Sequence, residues 1–196
     1  MTTSRVFITI VSLIALGAVS ACQTTPKSTA EKENLTDESQ AALNSFQRED
    51  PGLKDFLGRA YGYAVFPNIG KGGLIVGGAY GRGRVYEQAR AIGWADMTQA
   101  SVGAQIGGQT YSELIAFENA DSLNNFKANK LAFSASASAV AIKSGAAATA
   151  KYDNGVAVFT MPKGGLMAEA SVGGQKFTFV SDADASSGKT SPTTQP

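Results

Sequence analysis

Four cationic side chains occupy positions suited to binding an anionic group. Lys71 and Lys163 each stand directly before a Gly-Gly pair. Arg82 and Arg84 are two residues apart in a segment with strand character, and side chains with that spacing share one face of a strand. Two guanidinium groups on one face can hold phosphate through bidentate hydrogen bonds. A charged sheet edge that discourages aggregation is the alternative interpretation of the same residues.

The composition argues against catalysis. The chain of 196 residues has no histidine and one cysteine, so it lacks the commonest general base and the commonest metal ligand. Its glycines form no phosphate-binding pattern, and no Gly-x-Ser-x-Gly elbow occurs. Ser144 and Lys143 are a poor catalytic pair, because neighbours on a strand point to opposite faces. We therefore expect a protein that is not an enzyme and has no cofactor and no metal.

The single cysteine follows a segment with the layout of a secretory signal. Arg5 precedes the apolar residues 6–19, and small residues then lead to Cys22. The sequence Val-Ser-Ala-Cys at 19–22 resembles the lipobox of bacterial lipoproteins. That resemblance implies that residues 1–21 are removed and that Cys22 carries lipid, such as palmitate. An ordinary secreted protein with a free thiol is the alternative.

Charge and composition divide the rest of the chain. Beyond Arg5 the basic and acidic side chains balance at 16 each, so no net field attracts nucleic acid and we expect no nucleic-acid partner. Residues 22–34 are polar and predict a flexible tether from Cys22. Residues 181–196 are rich in Ser, Asp, Thr and Pro and predict a disordered tail. The folded domain is predicted over residues 35–180.

The elements of that domain predict an α+β fold. Two short helices come first, and Asn119 or Asp121 can cap another in mid-chain. Glycine-rich strand segments make up the rest, and their glycines are typical of bulges and tight bends. Asp153-Asn154-Gly155 predicts a hairpin turn between strands 148–152 and 156–160, and Gly173-Gly174 predicts a second one. The fold class is therefore a strongly curled, mostly antiparallel sheet with short helices at the N-terminus and in mid-chain.

Five motifs, in order along the domain, resemble those of one family, the SYLF domain, which is also described as the yeast-type actin-binding domain. They lie at residues 57–67 (LGRAYGYAVFP), 71–83 (KGGLIVGGAYGRG), 101–109 (SVGAQIGGQ), 120–126 (ADSLNNF) and 163–174 (KGGLMAEASVGG). The last motif departs from the family in having Met167-Ala168-Glu169 after its corner.

The resemblance implies a non-catalytic module that binds membrane phospholipids. It makes Lys71, Arg82, Arg84 and Lys163 candidates for contact with lipid head groups. Actin binding is not carried over to a bacterial envelope protein, and other protein partners are unknown. Gln23, rather than Asp, follows the lipobox cysteine and favours the periplasmic face of the outer membrane. The alternative is a structural or partner-binding envelope protein with incidental lipid contact.

Overall fold

A computed structural model describes residue 26, residues 28–133 and residues 139–187. At residues 105, 132–133, 166–173 and 186–187 it describes the backbone alone. The predicted signal at 1–21 and the lipidation site Cys22 lie outside the described residues. No helix in the part that the structure describes is long and apolar enough to cross a membrane.

The described part of the chain begins with two helices, α1 (Thr29–Glu49) and α2 (Gly52–Arg59). α1 starts earlier than predicted, so residues 29–34 of the predicted tether are helical. The reason is a capping box: the Ser28 hydroxyl accepts from the Glu31 N–H at 3.1 Å, and the Ser28 N–H donates to the Glu31 carboxylate at 3.4 Å. The sequence analysis did not use this signal.

Among the described residues the sheet consists of six strands, interrupted by helices. The strands are β1 (Gly62–Gly73), β2 (Val76–Glu87), β3 (Arg90–Phe117), β4 (Ala132–Phe133), β5 (Ala139–Ala141) and β6 (Val156–Ser181). The later helices are α3 (Ala120–Lys127), α4 (Ala146–Thr149) and α5 (Asp182–Ser187). Asn119 caps α3 as predicted, since its side chain accepts from the Ser122 N–H at 3.0 Å.

The predicted α+β class is confirmed, and the sheet is mixed. β5 pairs in parallel with β6, whereas every other strand pair among the described residues is antiparallel. The turn at 153–155 is confirmed, because Asp153 and Val156 form a bridge and Asn154 and Gly155 have positive φ angles of 50° and 79°. The strand predicted at 148–152 is wrong, since α4 occupies its first residues.

β3 and β6 are longer than predicted and organise the sheet. The first half of β3 pairs with β2, and its second half pairs with β1, which itself pairs with β2. β6 follows β3 from the pair Phe117–Val156 to the pair Gly93–Ser181. The predicted turn at Gly173-Gly174 is therefore wrong: Ser101 and Ala100 supply pairing partners there and keep the strand extended.

Apolar side chains pack on both faces of this sheet. One cluster joins the strands to α3 and includes Phe66, Phe126 and Phe177, whose ring centroids lie 5.8 Å (Phe66 to Phe177) and 5.2 Å (Phe126 to Phe177) apart. The other joins the strands to α1, α2 and α4, and includes Phe46 and Phe159. The fold buries both faces of its strands, so the domain has a core on each side.

The sheet is not strongly curled, so the prediction of a strong curl is wrong. Some of the strand glycines instead allow neighbouring strands to pack closely. A Cβ atom at Gly83 would lie 2.5 Å from the Val65 carbonyl oxygen and 2.8 Å from Cδ1 of Phe66. At Gly93 it would lie 2.4 Å from the Val180 carbonyl oxygen. These positions need glycine because neighbouring strands and aromatic rings come so near.

Candidate functional site

The most exposed large apolar side chains lie together where strands β1, β2 and β3 meet. Leu74 and Ile75 form the β1–β2 turn, Val76 begins β2, and Val102 and Ile106 lie in the middle of β3. Their exposed fractions range from 63% to 74%. We call these five residues the apolar tip. Nothing in the described part of the chain covers them.

Backbone hydrogen bonds hold the apolar tip in place. The Gly103 N–H donates to the Ile75 carbonyl at 2.9 Å, and the Leu74 N–H donates to the Val76 carbonyl at 3.4 Å. Val76 pairs with Val102 across β2 and β3. The turn is thereby tied to the middle of β3, so its aliphatic side chains form one surface.

The tip lies in a part of the sequence without charge. No charged residue occurs between Lys71 and Arg82 or between Asp96 and Glu113. Aliphatic residues that lie between glycines, with no charged residue near them in the sequence, are the signal by which the tip could have been predicted. On β6, Glu169 pairs with Gln105 next to the tip, and the backbone alone is described at both.

Arg84, one of the predicted head-group ligands, is buried and paired within the fold. Its two terminal nitrogens lie 2.5 and 2.9 Å from the two carboxylate oxygens of Asp182. The guanidinium carbon stacks 3.9 Å from the ring centre of Trp94, and Nη1 donates to the Gly93 carbonyl at 3.0 Å. The geometry gives Arg84 the role of attaching α5 to the sheet. Residues 182–187, predicted as disordered, are helical, and the Ser181 hydroxyl accepts from the Asp184 N–H at 3.1 Å in the first turn of α5.

Arg82 lies on the same face of β2 as Arg84, the face that packs against α1, α2 and α4, which we call the outer face; the face around Phe66 is the inner face. Arg82 stands there beside an acidic residue. Its strand neighbours are Asn68 on β1 and Asp96 on β3. Burial raises the pKa of Asp96, while the hydrogen bond from Tyr80 and the charge of Arg82 oppose the rise. Tyr80 donates to the Asp96 carboxylate at 3.2 Å. Arg82 is therefore part of a face of mixed charge.

Lys163 lies at a small pocket between α1 and the sheet. Its ammonium donates to the Asn68 side-chain oxygen at 2.6 Å and to the Pro67 carbonyl at 3.2 Å. Asn68 in turn donates to the Glu38 carboxylate at 2.9 Å. The pocket holds about 160 Å³, and Ser45 and Met161 also line it. With Glu38 at its rim, this pocket is a poor match for an anionic ligand.

Lys71 is separated from the other three cations. It pairs with Ala79 and Gln109 and is buried, 9% exposed. Ile69, two residues earlier, belongs to the core cluster around Phe66, so the strand alternation turns Lys71 to the inner face of β1. The four predicted cations therefore do not form one cluster: Arg82, Arg84 and Lys163 belong to the outer face, and Lys71 to the inner.

A polar pair that the sequence analysis missed lies inside the core. The Gln175 amide donates to the Glu113 carboxylate at 3.0 Å, and both side chains are buried. Glu113 Oε1 and Gln175 Oε1 have no hydrogen-bond partner among the described residues. Burial raises the pKa of Glu113 to about 7, although the Gln175 hydrogen bond opposes the rise. Only the fold brings these residues together, so no local sequence signal marks them.

Within residues 28–133 and 139–187 no group of three or more carboxylate or cysteine ligands is placed to hold a metal ion. Arg84, Lys163 and Glu113 each form a hydrogen bond with another side chain of the fold. The apolar tip holds the most exposed large aliphatic side chains in this part of the chain.

Comparison with known proteins agrees with the sequence motifs. Residues 98–191 match the family model Ysc84, described as "Las17-binding protein actin regulator". This match covers the middle and end motifs, while the motifs at 57–67 and 71–83 precede it. The chain is also 31% identical over 137 residues to "Beta cell expansion factor A" of Aeromonas veronii, a bacterial SYLF-domain protein. That alignment covers 69% of the chain but 52% of the relative, so the chain spans about half the relative's length. On these matches, the chain carries a SYLF (Ysc84) domain that includes residues 98–191.

Proposed function

We propose that this protein is a membrane-anchored lipoprotein whose SYLF domain binds phospholipid without catalysis. The observation that carries the proposal is the apolar tip, an aliphatic surface fixed by backbone hydrogen bonds and left exposed. Full burial of a Val, Leu or Ile side chain is worth roughly 1.5–3 kcal/mol. Five such side chains provide enough favourable energy for a reversible contact with a membrane.

The proposal includes two attachments to lipid. Cys22 carries the covalent one, and the folded domain supplies the second. The acyl chains on Cys22 hold the protein at the membrane, and a lipid contact made by the domain adds a second attachment. The tether between them raises the effective concentration of the domain at the surface. Gln23 after the cysteine supports the periplasmic face of the outer membrane as the location.

Two measurements test this proposal. In the first, the chain from residue 22 onward, carrying Cys22→Ser, is sedimented with phospholipid vesicles; all described elements are present in it. Binding supports the lipid function, and failure to bind vesicles of any composition contradicts it. In the second, mass spectrometry of the protein from bacterial membranes should find acyl groups on Cys22, and the Cys22→Ala protein should carry none.

A second candidate is a partner-binding envelope protein with incidental lipid contact. The observation that favours it is the outer face where Arg82, Asp96, Glu38 and Lys163 alternate in charge, which suits polar contact with another protein. The description of the matched family also names a protein partner. This candidate predicts that charge reversal on the outer face, rather than at the tip, disturbs the protein's role in cells.

A further inference from the structure

We infer that the apolar tip enters the acyl-chain region of a phospholipid leaflet, so that the domain binds lipid by hydrophobic insertion rather than by head-group charge. The inference rests on the proposed function and specifies its surface and its mode. It also replaces the predicted cations as the main contact. Four properties of the tip support it, and one experiment separates its failure from that of the proposed function.

The first property is the exposure of the side chains. Leu74, Ile75 and Val76 are consecutive, and each is more than 60% exposed. Val102 lies directly across from Val76, which makes the surface continuous over two strands. A contiguous aliphatic surface on a soluble domain marks a site of interaction with a membrane or another protein.

The second property is that several backbone groups at the tip are already paired. Unpaired backbone groups make irregular segments costly in a bilayer. Here the Ile75 carbonyl accepts from Gly103, and the middle of β3 pairs with β6 through the tip, from Val102–Val172 to Gly108–Leu166. The tip can therefore lose water without leaving these groups without partners.

The third property is the distribution of charge. From Val102, four residues of β3 lead back to Thr98, which is roughly 13 Å at about 3.3 Å per residue. Interfacial elements bury their apolar faces about 5–10 Å deep, so the uncharged stretch from Val102 to Thr98 is long enough to reach that depth without burying a charge of β3. Lys176 pairs with Thr98 and lies at the level expected for head groups. Glu169 lies beside the tip on β6, so we place the β1–β2 turn deepest.

The fourth property is the small area of the tip. Five side chains about two-thirds exposed present roughly 200–400 Å² of apolar surface, because a fully exposed aliphatic side chain presents roughly 60–120 Å². A stable protein interface buries about 800 Å² on each partner. The tip is too small for a stable dimer contact, whereas a fluid leaflet needs no matching surface. These properties together favour lipid over a second copy of the chain.

The experiment compares charged substitutions at and near the tip. The chain from residue 22 with Cys22→Ser is sedimented with vesicles of phosphatidylcholine alone and with added phosphatidylglycerol, at low and high salt. We expect binding to both kinds of vesicle, with less than about a threefold change with salt. Ile75→Asp and Val102→Asp should each weaken binding at least about tenfold, since a charge is costly among acyl chains. Ile75→Leu should bind like the parent chain.

Thr110→Asp is the matched control, because Thr110 is exposed on β3 four residues beyond Ile106; it should change binding less than about threefold. Circular dichroism and thermal melting verify that each variant is folded. If the parent chain binds no vesicle, the proposed function fails. If it binds and Ile75→Asp binds equally well, the inference alone is overturned. A concentration-dependent dimer that Ile75→Asp dissociates, with vesicle binding unchanged, would also overturn it in favour of a second copy.

Discussion

Arg84 and Asp182, 98 residues apart in the chain, form an ion pair through both terminal nitrogens and both carboxylate oxygens. The Arg84 side chain is 10% exposed, whereas that of Asp182 is 43% exposed. The pair fixes α5 over the end of the sheet. At the other end of α5, Lys32 of α1 donates to the Ala185 carbonyl at 2.8 Å. The last described helix therefore joins the first helix to β2.

Loss of the Arg84–Asp182 pair should lower stability. We expect Arg84→Gln to reduce the free energy of unfolding by roughly 1–3 kcal/mol, less than for a fully buried pair because Asp182 is partly in water. Arg84→Lys should also destabilise the domain, because a lysine cannot make the two-point contact. Arg90→Gln, at the exposed first residue of β3, is the control. Urea unfolding measures all three, and an unchanged Arg84→Gln would refute the structural role.

The buried carboxyl of Glu113 should make stability depend on pH. Its pKa is raised from 4.5 to about 7 in the fold, so between these values the native state retains a proton that the unfolded state has released. The free energy of unfolding therefore falls as pH rises from about 4.5 to 7, by roughly 3 kcal/mol from this group. Glu113→Gln should lack this step. Urea unfolding of both proteins from pH 4.5 to 8 measures the difference, and parallel curves would contradict the prediction.

Gly83 should tolerate no side chain. An added Cβ would meet the Val65 carbonyl oxygen and the ring of Phe66, so Gly83→Ala should destabilise the domain by about 1–3 kcal/mol or more. Gly70→Ala is the matched control on the neighbouring strand, because no atom lies within 4 Å of its added Cβ. It should be neutral or slightly stabilising, since alanine restricts the unfolded chain. Thermal melting of the two variants tests the contrast, and equal melting temperatures would contradict it.

Local signals in the sequence predicted the elements that local contacts determine. The Asn119 cap of α3 and the turn at 153–155 involve residues that are near in sequence, and both are confirmed. Gly173 and Gly174 carry an equally strong turn signal. Pairing with Ala100 and Ser101 of β3 overrides it, because those strand hydrogen bonds exist only in the tertiary structure.

The candidate site was partly predictable for the same reason. The strand alternation correctly placed Arg82 and Arg84 on one face, but it carried no information that α5 would cover Arg84. The apolar run at Leu74–Val76 has the composition of a buried strand. It is exposed because the turn and the middle of β3 project together, an arrangement set by the register of β1, β2 and β3.

The central claim is that the apolar tip reaches the acyl chains. Cys22 is the single cysteine, so in the Cys22→Ser chain an Ile75→Cys substitution can carry one environment-sensitive fluorophore. On vesicles with quenchers at defined depths, the label should shift to the blue and be quenched most strongly by acyl-chain quenchers. The same label at Lys54→Cys, on the exposed side of α2, should remain in water. A label at Ile75 that stays water-exposed on vesicles to which the protein is fully bound would contradict the account.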